Sequence, residues 1–147
     1  MQSKLLKDDD GQRTFVVVLE TGDETMASLQ AFADRERLTA AQLTAIGAFS
    51  DAVLAYFDWE RKAYVRNPVP EQVEVASMIG DVALSPDGER TLHVHLVLGK
   101  RDGAALVGHL MEAHVRPTLE VILTESPVHL RKACDAESGL ALIRPGV

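Results

Sequence analysis

Cysteine is almost missing from this chain: Cys134 stands alone among 147 residues. One thiol cannot close an intrachain disulfide, so the fold must rest on its own core, and a reducing setting, the cytoplasm, is expected. With no histidine or other base in a catalytic motif beside it, Cys134 reads as a small apolar filler near the C-terminus. Long apolar runs are missing too. None reaches the roughly 18 residues of a membrane helix, so no membrane association is expected. The polar, acidic first eleven residues have no apolar stretch of the kind a usual signal peptide carries. Glycines punctuate strand ends but form neither a G-x-G-x-x-G nor a P-loop, which removes support for nucleotide binding through those devices. Positive charge is scarce. Lys and Arg number 15 against 22 Asp and Glu, a net charge of −7 with pI near 5.2. A protein that wraps DNA by neutralising phosphates carries a basic face. Here the basic spots are small, Arg61 with Lys62 and Arg66, and Lys100 with Arg101, and read as solvated surface. No repeat, linker or low-complexity segment divides the chain.

What is present is a globular composition, 46% hydrophobic and 25% charged, of a length that suits one domain with a real core. Residues 1–12 read as a polar lead-in and 13–147 as the domain. The β-branched run at 14–20 predicts a strand buried on both faces. Residues 21–24 offer a capping box with Asp23 as a competing N-cap, ahead of an amphipathic helix over about 24–37 carrying Met26, Leu29, Phe32 and Ala33. Residues 39–42 could make one helical turn. Residues 43–49 and 51–58 predict two strands folded back at a tight Ser50-Asp51 turn. Tyr64 and Val65 suggest a short edge strand between charges and prolines. A long strand follows over 71–84, then a turn at 85–88, a strand at 91–98 and a turn at 100–103. Residues 107–115 and 118–125 predict two strands broken by Pro117, and 140–143 a last short one. One good helix against seven to nine strands predicts an α+β domain dominated by a curved, mainly antiparallel sheet.

Four of the five histidines lie between Gly80 and Glu125. Alternate side chains of a strand share a face, so His93 and His95 point the same way. The turn at 100–103 sends the chain back, so His109 can arrive beside them. Neutral imidazole is the commonest metal ligand, and zinc takes three protein ligands when a fourth position stays open. His93, His95 and His109 are therefore candidate metal ligands, zinc first. The competing reading is a polar sheet face in which they bond each other or backbone. His114, an odd five residues beyond His109, should face the other side in a surface or core role, and His129 should be exposed. Gly108 would allow close backbone approach beside His109. Arg116 could clamp a small anionic ligand. No residue is assigned a catalytic role.

Gly47-Ala48-Phe49 with residues 52–58, the block 74–80, His93-Val94-His95 through Gly99 with Asp102-Gly103 and Gly108-His109-Leu110, and residues 115–121 follow one another in an order that resembles the plants-and-prokaryotes conserved (PPC) domain, the domain of unknown function 296 family. The match spans about residues 13–145. The resemblance implies an α+β fold assembled as a homotrimer, and places the family's histidines at His93, His95 and His109, where some members resemble metal-binding proteins. In plants the domain follows an AT-hook, an Arg-Gly-Arg-Pro type segment that binds the minor groove, and stand-alone bacterial members carry a DNA-binding label by that association. No such hook occurs in this sequence, so direct DNA contact is not expected. The strands themselves call for a partner face, because their apolar alternation makes more apolar sheet than one helix can cover, and the resemblance makes the expected assembly a trimer. Two functions compete. One is a stand-alone, bacterial-type DNA-associated or regulatory binding module acting through protein partners. The other is a metal-dependent enzyme or small-ligand-binding protein acting at the three histidines.

Overall fold

The computed structural model describes residues 1–146. In chain order the elements are β1 (Gln2–Asp9), β2 (Gln12–Glu20), α1 (Thr25–Glu36), β3 (Ala40–Asp58), β4 (Ala63–Val69), β5 (Val73–Leu84), β6 (Arg90–Gly99), β7 (Ala105–Glu125), β8 (Lys132–Cys134) and β9 (Ala141–Ile143). Seven strands form one antiparallel sheet in the order β1-β2-β7-β6-β5-β3-β4. Strand β7 also pairs with β3, so β3, β5, β6 and β7 close on one another in a ring. This is the α+β architecture with a mainly antiparallel sheet and one helix that the sequence predicts.

The core lies inside the curved sheet, where Phe49, Leu43, Leu98, Leu110 and Leu119 are fully buried. Helix α1 packs on β6 and β7, burying Leu29, Phe32 and Ala33. Phe32 meets Phe15 of β2 edge to face at 5.3 Å. The N-cap is Glu24, not Thr21 or Asp23: its carboxylate accepts from Met26 N at 3.1 Å and Ala27 N at 2.6 Å. Asp23 is occupied elsewhere, accepting from Glu20 N and pairing with the Met1 amino group.

Further expectations change on folding, beginning with the strand at 14–20, where full burial alternates along β2 instead of covering both faces. The polar lead-in is a strand, β1, every residue of which is exposed; its polarity reflects an edge bathed in solvent. Residues 39–42 do not form a helical turn, because Ala40 and Ala41 are buried and paired with Ala83 and Val82. Ser50-Asp51 does not reverse the chain. Tight hairpin turns need positive φ, which neither residue adopts, and β3 runs through as one 19-residue strand bent by register shifts around Phe49. Pro117 does not break β7 either. The ladder to β3 skips from Val115 to Leu119 and the ladder to β2 starts only at Thr118, so Pro117 sits where no strand needs its missing N–H. Cys134 is exposed, on the unforeseen strand β8. Strand β4 does lie at the sheet edge, as the prolines in and just after it predict.

Candidate metal centre

Two hairpins assemble the histidines by register. The turn at 85–88 sets Leu84 opposite Arg90, so Asp81 falls opposite His93 and Ile79 opposite His95. The turn at 100–103 sets Gly99 opposite Ala105, so His95 falls opposite His109. Strand alternation then puts all three imidazoles on one face. Their candidate ligand atoms all lie within 4.8 Å of one another. Ring centroids are 4.9 Å apart for His93–His95, 5.2 Å for His93–His109 and 5.3 Å for His95–His109.

The residues fit a divalent cation on two counts. His93 Nε2 and His95 Nε2 face each other at 3.1 Å. Imidazoles sharing a tetrahedral zinc hold their donors roughly 3.3 Å apart, given bonds near 2.0–2.1 Å. His109 Nδ1, moreover, is buried with no hydrogen-bond partner. A polar atom stranded in that way costs about 1–3 kcal/mol unless something fills its valence. Three imidazoles suit zinc, copper, iron or nickel rather than magnesium or calcium.

The surroundings orient His93 and keep His95 and His109 neutral. Asp81 Oδ2 lies 3.4 Å from His93 Nδ1, the placement of a carboxylate that orients a ligating histidine. Lys132 Nζ lies 3.5 Å from Asp81 Oδ1, and its side chain is only 8% exposed. Burial pushes the Asp81 carboxyl up, but His93 and Lys132 outweigh it and hold it below the usual carboxylate range. Tyr64 of β4 stacks on His109 with centroids 4.8 Å apart. Burial first, then the neighbouring His93, His95 and Lys132, brings His109 down to about 4. Burial and then His93 also lower His95. Both rings are neutral at pH 7, the form that binds a metal.

Two glycines let the strands close here. A Cβ on Gly80 would lie 2.6 Å from the His93 carbonyl oxygen, and one on Gly108 3.0 Å from that of Ala55. The close approach expected of Gly108 is thus present. The remaining candidates lie apart from the trio. The ladder from β3 to β7 shifts between Val53 and Leu54, leaving Met111 as a bulge. That bulge cancels the odd spacing, so His114 is on the outward face like His109, contrary to expectation. It bonds Asp51 Oδ1 through Nδ1 at 2.8 Å, in a surface role. His129 is exposed and bonds Thr39. Arg116 reaches Gln72 Oε1 at 3.4 Å, seven residues along β7 from His109. Lys100 pairs with Glu71.

Asp81, Lys132 and Tyr64 escaped sequence reasoning. Asp81 was within reach of the hairpin register once the turn at 85–88 was accepted. Lys132 was not: it arrives because Leu84 N donates to Leu130 O, laying the chain beyond β7 across the end of β5.

A curved antiparallel sheet with one helix and a three-histidine cluster defines a class of small α+β domains. Residues 7–127 match the family model of the Plants and Prokaryotes Conserved (PCC) domain, and the chain belongs to that family. It is similar to the metal-containing protein of Archaeoglobus fulgidus, with 31% identity and a TM-score of 0.83 over 97% of this chain and 96% of that one. A plant- and prokaryote-conserved protein of Pyrococcus horikoshii shares 28% identity, with a TM-score of 0.83 over 97% and 94%. A candidate DNA-binding protein of Ralstonia eutropha JMP134 shares 26%, with a TM-score of 0.84 over 96% and 95%. No protein of curated function matches the sequence. Among the described residues, no helix is long and apolar enough to cross a membrane.

Proposed function

We propose that this chain is a trimeric, metal-binding PCC-domain module of the cytoplasm, holding zinc at His93, His95 and His109 and acting in regulation through partners rather than by gripping DNA. The observation that carries the metal is the cluster itself, three imidazoles within 4.8 Å with one buried nitrogen unpartnered. The metal in the Archaeoglobus fulgidus relative supports it. The DNA-binding label of the Ralstonia eutropha relative supports an association with DNA. A net charge of −7 argues that any such association runs through a partner. Trimerisation is supported by the outward sheet face, where Ile46 is 60%, Ile79 57% and Ile122 44% exposed.

Elemental analysis of untagged protein tests the metal. About one ion per chain is expected, lost in His95→Ala and kept in His129→Ala. Zinc bound equally by wild type and His95→Ala would make the histidines structural. A gel-shift titration at physiological salt tests the DNA side, and tight duplex binding there would overturn the indirect reading.

The second reading, a metal-dependent enzyme or small-ligand protein at the same histidines, is favoured by one specific observation. A groove of about 440 Å³ opens directly beside His93 and His95. A zinc ion held by three residues supplies a Lewis-acidic position to whatever occupies such a groove.

A further inference from the structure

The chain beyond β7 is held differently from the rest of the molecule. Among the described residues, none after Leu123 belongs to the hydrophobic core. Strands β8 and β9 pair only with each other, and a two-stranded hairpin alone is marginal in water. Two backbone hydrogen bonds tie this strap, residues 128–146, to β5 and to the residue before β3. Leu84 N donates to Leu130 O at 2.8 Å, and Leu130 N to Thr39 O at 3.2 Å. His129 adds a side-chain bond to Thr39. A segment with so few attachments opens at low cost.

The strap's buried charge is Lys132, whose side chain is more than nine-tenths buried with Nζ 3.5 Å from Asp81 Oδ1. The other oxygen of that carboxylate lies 3.4 Å from His93 Nδ1. One carboxylate thus stands between the strap and a member of the histidine trio. Without a metal, the Asp81 and Lys132 charges balance. A divalent ion at the trio adds two positive charges on the far side of the carboxylate. The two contacts and the carboxylate together span less than a Debye length, about 10 Å at 0.1 M salt. Asp81 then answers two cations, and a buried ammonium deprived of its counter-charge is costly until it reaches water. Lys132 would aid the metal only by steadying Asp81. A separation of 3.5 Å is long for the hydrogen bond that steadying needs, whereas repulsion between like charges acts well beyond it.

Resting on the metal reading above, we infer that the strap over residues 128–146 is a metal-sensitive latch, held shut by Lys132 on Asp81 and loosened when a divalent ion binds His93, His95 and His109. The strap yields rather than the trio, because β6 and β7 are locked into the sheet and the core and the strap is not. Such coupling is reciprocal: a metal that loosens the strap binds more tightly when the strap is open. A partner that captures residues 128–146 therefore raises metal affinity without touching a ligand.

Hydrogen exchange of the full chain in its native assembly, after chelator treatment and after zinc loading, tests this. The Leu84 and Leu130 amides, bonded to Leu130 and Thr39, are expected to exchange about fivefold faster or more with zinc, while the α1 amides stay unchanged. In competition with a chelator, Lys132→Met is expected to hold zinc about fivefold more tightly than wild type, and its Leu84 and Leu130 amides to ignore the metal. Lys132→Arg keeps the charge and is expected to respond as wild type does. Should Lys132→Met fold poorly by circular dichroism, the wild-type exchange comparison decides alone. Zinc bound through His95 without faster exchange at Leu84 and Leu130, or bound no more tightly by folded Lys132→Met, overturns the latch while leaving the metal centre standing. Zinc bound equally by wild type and His95→Ala overturns both.

Discussion

Asp51 and His114 meet across β3 and β7 with 2.8 Å between Oδ1 and Nδ1, and Ser50 Oγ donates to the other carboxylate oxygen at 2.7 Å. The hydrogen bond from His114 is the main reason the Asp51 carboxyl falls below its usual range, and the bond to Asp51 the main reason the His114 imidazole rises above its own. The signs fix a pH window. A raised histidine contributes stability fully below its unfolded value near 6.5 and loses it as pH climbs through the folded value. A depressed aspartate contributes above its unfolded value near 3.9 and loses it as pH falls through the folded one. The pair is worth most between those limits, and being half-exposed it is worth little in total. In an NMR titration the His114 ring should show a midpoint above 6.5 that returns toward the ordinary value in Asp51→Asn. An unmoved midpoint would break the pairing. Gly80 makes a sharper residue-scale case. A methyl group 2.6 Å from the His93 carbonyl oxygen meets backbone, which cannot swing away. Gly80→Ala should cost about 1–3 kcal/mol in urea unfolding and lower metal content by displacing His93.

At the scale of elements, hairpins were legible and long strands were not. Turn residues at 85–88 and 100–103 announce their reversals chemically, so β5, β6 and the first part of β7 could be placed, and the histidine trio with them. Strands β3 and β7 were each split in two, because Ser50-Asp51 and Pro117 carry turn chemistry that pairing overrides. A bulge is invisible to alternation counting, and for that reason His114 was assigned to the wrong face. Lys132 depends on a segment without pattern crossing the end of β5, which no local rule supplies. The helix terminus shows the same override. Glu24, rather than the residues before it, caps α1 because its carboxylate oxygen Oε1 also accepts from Ala113 N of β7 at 3.1 Å, tying helix to sheet. Glu24→Ala should therefore cost more than the ~1 kcal/mol of an ordinary cap, about 2 kcal/mol, since a β7 amide also loses its partner. Matched urea midpoints for wild type and variant would show the tie to be idle.

At the scale of the whole molecule, the ring of β3, β5, β6 and β7 turns one side of its strands into the core and leaves the other bare. Ile79 and Ile122 lie opposite Thr44 on its two flanks, and Ile46 follows Thr44 on the same face. Three exposed isoleucines on adjacent strands form a contiguous patch, and α1 packs on β6 and β7 without covering it. Apolar patches on that pattern are faces for a partner, and a symmetric homo-oligomer buries the same patch on every copy. On the trimeric assembly proposed above, sedimentation equilibrium should find a trimer at micromolar concentration. Ile46→Asp combined with Ile122→Asp should dissociate it, because each places a charge where apolar contact is needed. Zinc content separates assembly from site. All three histidines come from β6 and β7 of one chain, so the dissociated variant should retain its metal. Loss of metal on dissociation would mean that a neighbouring copy completes the centre, and a stable wild-type monomer would remove the trimer altogether.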